Sequence, residues 1–252
     1  MHNTPDLSIV IAAYNEERRL LPTLKRIVKN LRTTFPGIFE IIVVDDGSRD
    51  GTSKIAKEFA SDNKEVSVVT NKENHGRGFV MRQGMLGAQG RYIIDTDADG
   101  SVDDEAIPRF YQYLESHTDA DVLIGSRSVA GSKIVVPQSR LRDIMTYGFM
   151  AITCILFRWP FVDRINGFKL YRREAAHDIF KNQLEDGFLA GAENIFVAER
   201  RGWHVKELPI IWTDDRNSSI KHPFKEAYRS IFGMLKILLR SWRGEYRRDL
   251  KH

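Results

Sequence analysis

Cysteine is almost absent from this chain. Cys154 is the single one in 252 residues, which rules out an intrachain disulfide framework and fits a reducing compartment. It lies in an apolar stretch, the setting of a buried structural thiol. The first residues, Met1 to Asp6, have neither the basic start nor the apolar run of a signal peptide. No segment reaches the roughly 18 uninterrupted apolar residues of a membrane-crossing helix. The best candidate, Tyr147 to Trp159, is shorter and ends beside Arg158, so it reads as a core helix or an interfacial one. Two nucleotide-binding loops are missing as well. The turn after the first apolar run is Ala12-Ala13-Tyr14-Asn15-Glu16, not Gly-x-Gly-x-x-Gly, which argues against a dinucleotide oxidoreductase, and there is no Walker lysine loop. Disorder is not indicated, because 42% of residues are hydrophobic and 29% charged. The length suits one sizeable domain or two small ones. No linker or internal repeat divides it, so residues 1–252 are read as a single domain.

What is present centres on Tyr92-Ile93-Ile94-Asp95-Thr96-Asp97-Ala98-Asp99-Gly100. An apolar strand pattern ends in carboxylates spaced two apart, and residues i and i+2 of an extended chain point the same way. Carboxylates held together repel unless a cation lies among them, and oxygen ligands of this kind suit Mg²⁺ or Mn²⁺ and hence a phosphate-bearing substrate. An EF-hand loop would need a glutamate where Ala106 stands. A merely solvated acidic turn is the plainer alternative.

Strand-like runs alternate with helical ones. Leu7–Ala13, Phe39–Val44, Val66–Val69, Arg91–Ile94 and Ala120–Gly125 read as buried strands. Glu16–Leu31, Thr52–Ala60, Gly78–Ala88 and Asp104–Ser116 carry helical spacing. This alternation predicts a mostly parallel sheet covered on both faces, with ligands outside the carboxyl ends of the strands. Polar clusters gather at those ends: Tyr14-Asn15-Glu16, Asp45-Asp46-Gly47-Ser48, Asn71 to Arg77, and Asp95 to Asp99. The net charge is +4, with an excess of Lys and Arg after Lys236. Such a tail suits an anionic membrane or is a solvated helix end. It lacks aromatic platforms on strands, so no nucleic-acid partner is expected.

The runs Ile9 to Glu17, Glu40 to Thr52 (with Asp45-Asp46-Gly47-Ser48-Arg49-Asp50-Gly51-Thr52) and Asp97-Ala98-Asp99-Gly100 resemble the GT-A, family 2 glycosyltransferases. Val162 to Tyr171, with Asn166-Gly167-Phe168-Lys169, resembles the polyprenyl-phosphate (dolichyl-phosphate) sugar synthases, the glucosyl branch especially and the mannosyl branch next. The resemblance implies an α/β, Rossmann-like GT-A fold: a mostly parallel sheet flanked by helices, with C-terminal amphipathic helices. A nucleotide-sugar half would span about 6–125 and an acceptor half with interfacial helices about 126–240. It implies that Asp46 accepts from a pyrimidine imide N–H and that Ala13, Tyr14 and Glu16 line base and ribose. It makes Asp97 and Asp99 the metal pair, Asp97 also reaching the ribose, and leaves Asp95 a supporting residue. Arg77 and Arg82 follow as donor-diphosphate partners. Arg127 is expected near the phosphates, and with Arg142, Lys169, Arg216 and Lys221 forms a pocket for the acceptor phosphate. Residues Arg216 to Lys221 read Arg-Asn-Ser-Ser-Ile-Lys, a departure from the family's Arg-x-x-Gly-x-Ser-Lys-like stretch. Glu193 matches a family acid on a helix facing the site.

The implied reaction is inverting transfer of a hexose from a nucleotide sugar, UDP-glucose first and GDP-mannose next, to a polyprenyl or dolichyl phosphate. A phosphate acceptor is already anionic, so it needs orientation and no general base. A saccharide or protein acceptor would need one, with Glu193 the residue to watch; a non-catalytic nucleotide-sugar-binding subunit is the other alternative. Leu141–Trp159 and Pro223–Trp242 are amphipathic or apolar enough to be interfacial. Peripheral attachment to the cytoplasmic face of a membrane, or a membrane-anchoring partner, is the expectation.

Overall fold

In the computed structural model, residues 4–137, 148, 151, 154–155, 163, 166–214 and 223–247 are described. Apolar runs rich in Val and Ile form the strands β1 (Leu7–Ala13), β2 (Phe39–Asp45), β3 (Val66–Thr70), β4 (Tyr92–Asp97), β5 (Val122–Ser126), β6 (Lys133–Val136), β7 (Lys169–Arg172), β8 (Val205–Pro209) and β9 (Ile211–Thr213). Between and after them run the helices α1 (Leu20–Thr34), α2 (Thr52–Asp62), α3 (Arg77–Gly87), α4 (Ala106–Ser116), α5 (Arg173–Lys181), α6 (Ala190–Arg200) and α7 (Pro223–Trp242).

Seven strands form one sheet in the order β3-β2-β1-β4-β7-β5-β8. All neighbours are parallel except β7, which runs antiparallel between β4 and β5. A second, two-stranded sheet pairs β6 with β9. Side chains alternate faces, so Ile9, Ile11, Ile41, Val43, Tyr92 and Ile94 meet α1 and α4 on one side. Val10, Val44, Ile93, Ile124 and Tyr171 meet α3, α5 and α6 on the other. Each fully buried Val, Ile or Leu contributes about 1.5–3 kcal/mol. The mostly parallel sheet covered on both faces agrees with the sequence pattern.

Two boundaries differ instructively. Helical spacing begins at Glu16, yet α1 starts at Leu20, because Asn15 takes a left-handed φ of 55° and the Glu16 and Glu17 amides bond to Thr52 Oγ1 and Asp50 Oδ2. Strand β4 continues past Ile94 to Asp97, held by β1 through Val10–Asp95 and Ala12–Asp97 and by Lys169 opposite Asp95. Among the described residues no helix is long and apolar enough to cross a membrane.

Candidate active site

The carboxyl ends of β1, β2 and β4 and the start of antiparallel β7 meet at one edge. The turns after β1 and β2 are knitted together there. Asn15 N–H donates to Ser48 Oγ (2.9 Å), Arg49 N–H donates to Asn15 Oδ1 (2.9 Å), and Gly51 N–H donates to Glu17 Oε2 (2.9 Å). The Ser, Asp and Thr of the Asp-Gly-Ser-x-Asp-Gly-Thr string thus act as scaffold. They fix the turn that leaves Tyr14 39% exposed while Ala13 is buried.

Asp46 is buried and accepts from Asn74 Nδ2 (2.7 Å), His75 N–H (2.8 Å) and Gly76 N–H (2.9 Å). Three of a carboxylate's roughly four lone-pair sites are therefore taken, and the 74–76 turn is pinned to the end of β2. Gly76 has φ +102°, and a Cβ there would lie 2.6 Å from Asp186 O, so only glycine fits. Its neighbour Asp45, to which the sequence reading gives no role of its own, accepts from Ser48 N–H through Oδ1, while its buried Oδ2 has no partner among the described residues. The signal for it was there: it is the first of two adjacent aspartates ending a strand.

At the end of β4, Arg77 binds two carboxylates at once: Nε to Asp97 Oδ1 at 2.8 Å and Nη2 to Asp95 Oδ1 at 2.9 Å. Asp95 is fully enclosed, whereas 42% of the Asp97 side chain is open. This separates a supporting carboxylate from a presenting one. Burial raises the Asp95 pKa, opposed by Arg77 and Lys169, and burial also depresses Lys169. Lys169 is entirely enclosed and donates to Asn166 O, so its charge serves Asp95 and is not open to a phosphate. Asp99 accepts from Ser101 N–H at 3.0 Å, and its pKa is raised first by burial and then by Asp97. Glu16, gripped by Arg19, is raised by burial and, through space, by Asp99 and Asp97.

Carboxylates crowded together and only partly answered by arginines are the donor set of a hard divalent cation. Among the described residues, no three His, Cys, Asp or Glu converge to hold a metal unaided. The residues therefore fit an ion held by Asp97 and Asp99 and completed by substrate oxygens and water, the usual manner for Mg²⁺. Gly167 guards this arrangement, since a Cβ there would fall 1.9 Å from Asp97 Oδ2. Gly167→Ala is expected to cost about 1–3 kcal/mol of stability and to lower transfer about 100-fold by displacing Asp97. A melt together with steady-state kinetics checks both; unchanged kinetics would show that Asp97 moves aside freely.

Other sequence-assigned cations have partners of their own. Arg82 meets Asp186 Oδ1 at 2.8 Å and Gln183 O at 3.2 Å. Arg127 grips buried Asp163 through Nε and Nη2, both at 2.7 Å, and its backbone N–H joins them. That guanidinium also lies over Trp212, 5.1 Å from the ring centre. It anchors Asp163, three residues before Asn166, instead of standing open for phosphate. Arg142, Arg216 and Lys221 lie outside the described residues, as does most of Leu141–Trp159.

Glu193, at the start of α6, is fully enclosed. Its Oε2 accepts from Glu185 N–H (2.8 Å) and Leu184 N–H (3.1 Å), and its Oε1 from Tyr246 Oη (2.6 Å), with Arg240 at 3.7 Å. Burial raises its pKa, opposed by these donors. A carboxyl raised in the folded state contributes stability below its unfolded value that is lost as pH rises through the folded value. Glu193→Gln never ionises, so its urea midpoint is expected to fall less than wild type's between pH 4.5 and pH 7.5 (about the window set by the unfolded value). Parallel pH profiles would contradict this.

A glycosyl transferase family 2 model matches residues 8–180. A dolichyl-phosphate beta-glucosyltransferase from Homo sapiens is 30% identical over 98% of this chain and 80% of its own length. One from Dictyostelium discoideum is 28% identical over 93% and 74% respectively. Among solved structures, glucosyl-3-phosphoglycerate synthase from Mycobacterium tuberculosis, in complex with Mn²⁺ and UDP-glucose, superposes with a TM-score of 0.67 at 17% identity. It covers 92% of this chain and 78% of that one. The family model, the relatives and the fold agree: the chain belongs to glycosyl transferase family 2 and has the GT-A fold.

Proposed function

We propose that this glycosyltransferase moves glucose from UDP-glucose to a dolichyl or related polyprenyl phosphate, with inversion, at the cytoplasmic face of a membrane. The observation that carries the choice of acceptor is the state of Glu193. A sugar hydroxyl needs a base at the attack point, and the acid suited to that role is enclosed, with both oxygens engaged by donors. A phosphate monoester needs none. The relatives' names support the same acceptor and sugar, and the lone cysteine suits the cytoplasmic side.

In this reading an acceptor phosphate oxygen forms a bond to the anomeric carbon as the bond to the donor's β-phosphate breaks, and UDP departs. Asp97 and Asp99 would hold Mg²⁺ or Mn²⁺, which when bound offsets charge growing on the diphosphate. Arg77 keeps the Asp97 carboxylate aimed outward. Asp46, with one lone-pair site left, or Asp45 through its bare Oδ2, accepts from the uracil imide. Tyr14 and Glu16 flank the nucleoside. Arg142, Arg216 and Lys221 would receive the acceptor phosphate, as the resemblance implies, while Arg127 holds Asp163 and Arg82 holds the 183–186 segment.

A thermal-shift series tests the donor and metal. UDP-glucose with Mn²⁺ at one hundred times Kd is expected to add about 2.7 kcal/mol, about 5–10 °C for a chain of this size. GDP-mannose should do less. Equal shifts with every nucleotide sugar, or undiminished transfer to a short polyprenyl phosphate in excess chelator, would sink the proposal.

A further inference from the structure

Helix α7 buries one face and leaves another bare. Met234 and Ile237 face the core, and Gly233 lies against Leu189. Phe232, Leu235, Leu239 and Trp242 are 65%, 44%, 50% and 77% exposed. Their spacing of i, i+3, i+7 and i+10 puts them in a single stripe. Exposed Lys236 and Arg243 stand beside it.

At the C-terminal end of that stripe opens a cavity of about 530 Å³ lined by Arg200, Ser241, Trp242, Tyr246 and Arg247. Two arginines, a serine, a tyrosine and a tryptophan line it, a residue set that suits an oxyanion next to an apolar surface. Among the described residues neither Arg200 nor Arg247 meets a carboxylate; Arg200 rests on the Phe196 ring at 5.1 Å. The last helical carbonyls are turned to amides of the chain's own end, and the two arginines answer the negative end of the helix dipole. Leu239 O, Arg240 O and Ser241 O accept from Arg243, Glu245 and Gly244 amides, closing the helix end with Gly244 at φ +82°. The acidic neighbour Glu245 is exposed and is not part of the lining. None of its lining residues is among those that meet at the sheet edge, so this cavity is distinct from that site.

We propose that the cavity binds the phosphate of an anionic bilayer lipid, a headgroup separate from the acceptor, while the α7 stripe enters the interface. The inference rests on the lipid-phosphate reading, since such an acceptor brings the protein to a bilayer. The complementarity of a basic cavity and basic flank with an apolar stripe singles out an anionic membrane as occupant. The inner wall of the cavity is Tyr246, whose hydroxyl holds Glu193, and Glu193 in turn holds the 184–185 backbone. The docking cavity and the 184–185 backbone therefore share one hydrogen-bonded chain.

Flotation with vesicles of phosphatidylcholine, with and without phosphatidylserine, at low salt tests it. Wild type is expected to partition to the anionic vesicles. Arg200→Gln/Arg247→Gln is expected to lose about thirtyfold in that partitioning but nothing on neutral vesicles, with melting temperature unchanged. Trp242→Ser should weaken both. Transfer to a short, water-soluble acceptor phosphate should be unaltered in all variants. That assay reports the proposed reaction, and flotation reports the cavity, so either can fail alone. The inference is overturned if the double variant floats like wild type, or if wild type binds neither vesicle. Two more results overturn it: inorganic phosphate stabilising wild type but not the double variant without any flotation, or a dimer that Trp242→Ser dissolves.

Discussion

Asp99→Asn is expected to lower transfer about 10³-fold, some 4 kcal/mol of transition-state stabilisation, while the metal-free protein melts no lower than wild type. The two halves of this expectation have the same cause. Asp99 has one backbone donor, from Ser101, and no cationic partner at bonding distance among the described residues. Burial and the nearby Asp97 charge both oppose its ionised form. Without a cation the carboxylate costs the native state free energy, so a neutral isostere relieves repulsion and leaves the Ser101 contact intact. With donor and cation, the same carboxylate is indispensable, because its repulsion toward Asp97 becomes shared attraction. Mn²⁺ titration by calorimetry in the presence of UDP, beside a melt and a transfer assay, separates the effects. Transfer within tenfold of wild type would refute the metal assignment. A melt lowered by several degrees would show that Asp99 holds the loop instead.

The parts of this architecture legible in the sequence are those set by local pattern. Buried strands such as Ile9–Ala13 and Ile41–Val44 announce themselves by continuous β-branched residues, and polar clusters at their ends mark the binding edge. The separation of Asp95 from Asp97 and Asp99 comes from the family resemblance, since spacing alone makes the three carboxylates equivalent. What was not legible is partnership across the chain. Arg77 sits 18 residues from Asp95, Arg127 36 from Asp163, and Asp46 28 from Asn74. No periodicity encodes which cation answers which carboxylate. Sequence reasoning accordingly assigns Arg77, Arg82, Arg127 and Lys169 to phosphate, the commonest use of a basic residue near a nucleotide. The fold gives each a protein acceptor. Glycines hide a similar secret: Gly167 reads as a turn residue, and only the tertiary structure shows that it clears space for Asp97 Oδ2. The α1 start differs from the helical spacing for the same reason, since Glu16 is held by Thr52, 36 residues on.

Arg77→Met is expected to cost about 3–5 kcal/mol, because it strands the enclosed Asp95 carboxylate. For a chain of this length that is about 6–20 °C in melting temperature. The guanidinium is a fork between a carboxylate with no exposure and one that faces the site, so methionine restores volume but neither bond. Lys169 remains near Asp95 but already donates to Asn166 O. Stability and catalysis should then part company in the double variant. Arg77→Met/Asp95→Asn removes one charge of each sign and leaves Lys169 balanced by Asp97. It is expected to recover about 1–3 kcal/mol relative to the sum of the single variants, the range for directly coupled groups. Transfer should not recover, since Asp97 still lacks the Nε–H that orients it. Urea unfolding of the four proteins yields the coupling energy, and kinetics on the same samples reads the positioning. Additivity within about 0.5 kcal/mol would mean the Arg77–Asp95 pair is not formed in solution. A double variant with restored transfer would mean that Asp97 finds its orientation without Arg77, leaving Arg77 purely a counter-ion for the buried carboxylate.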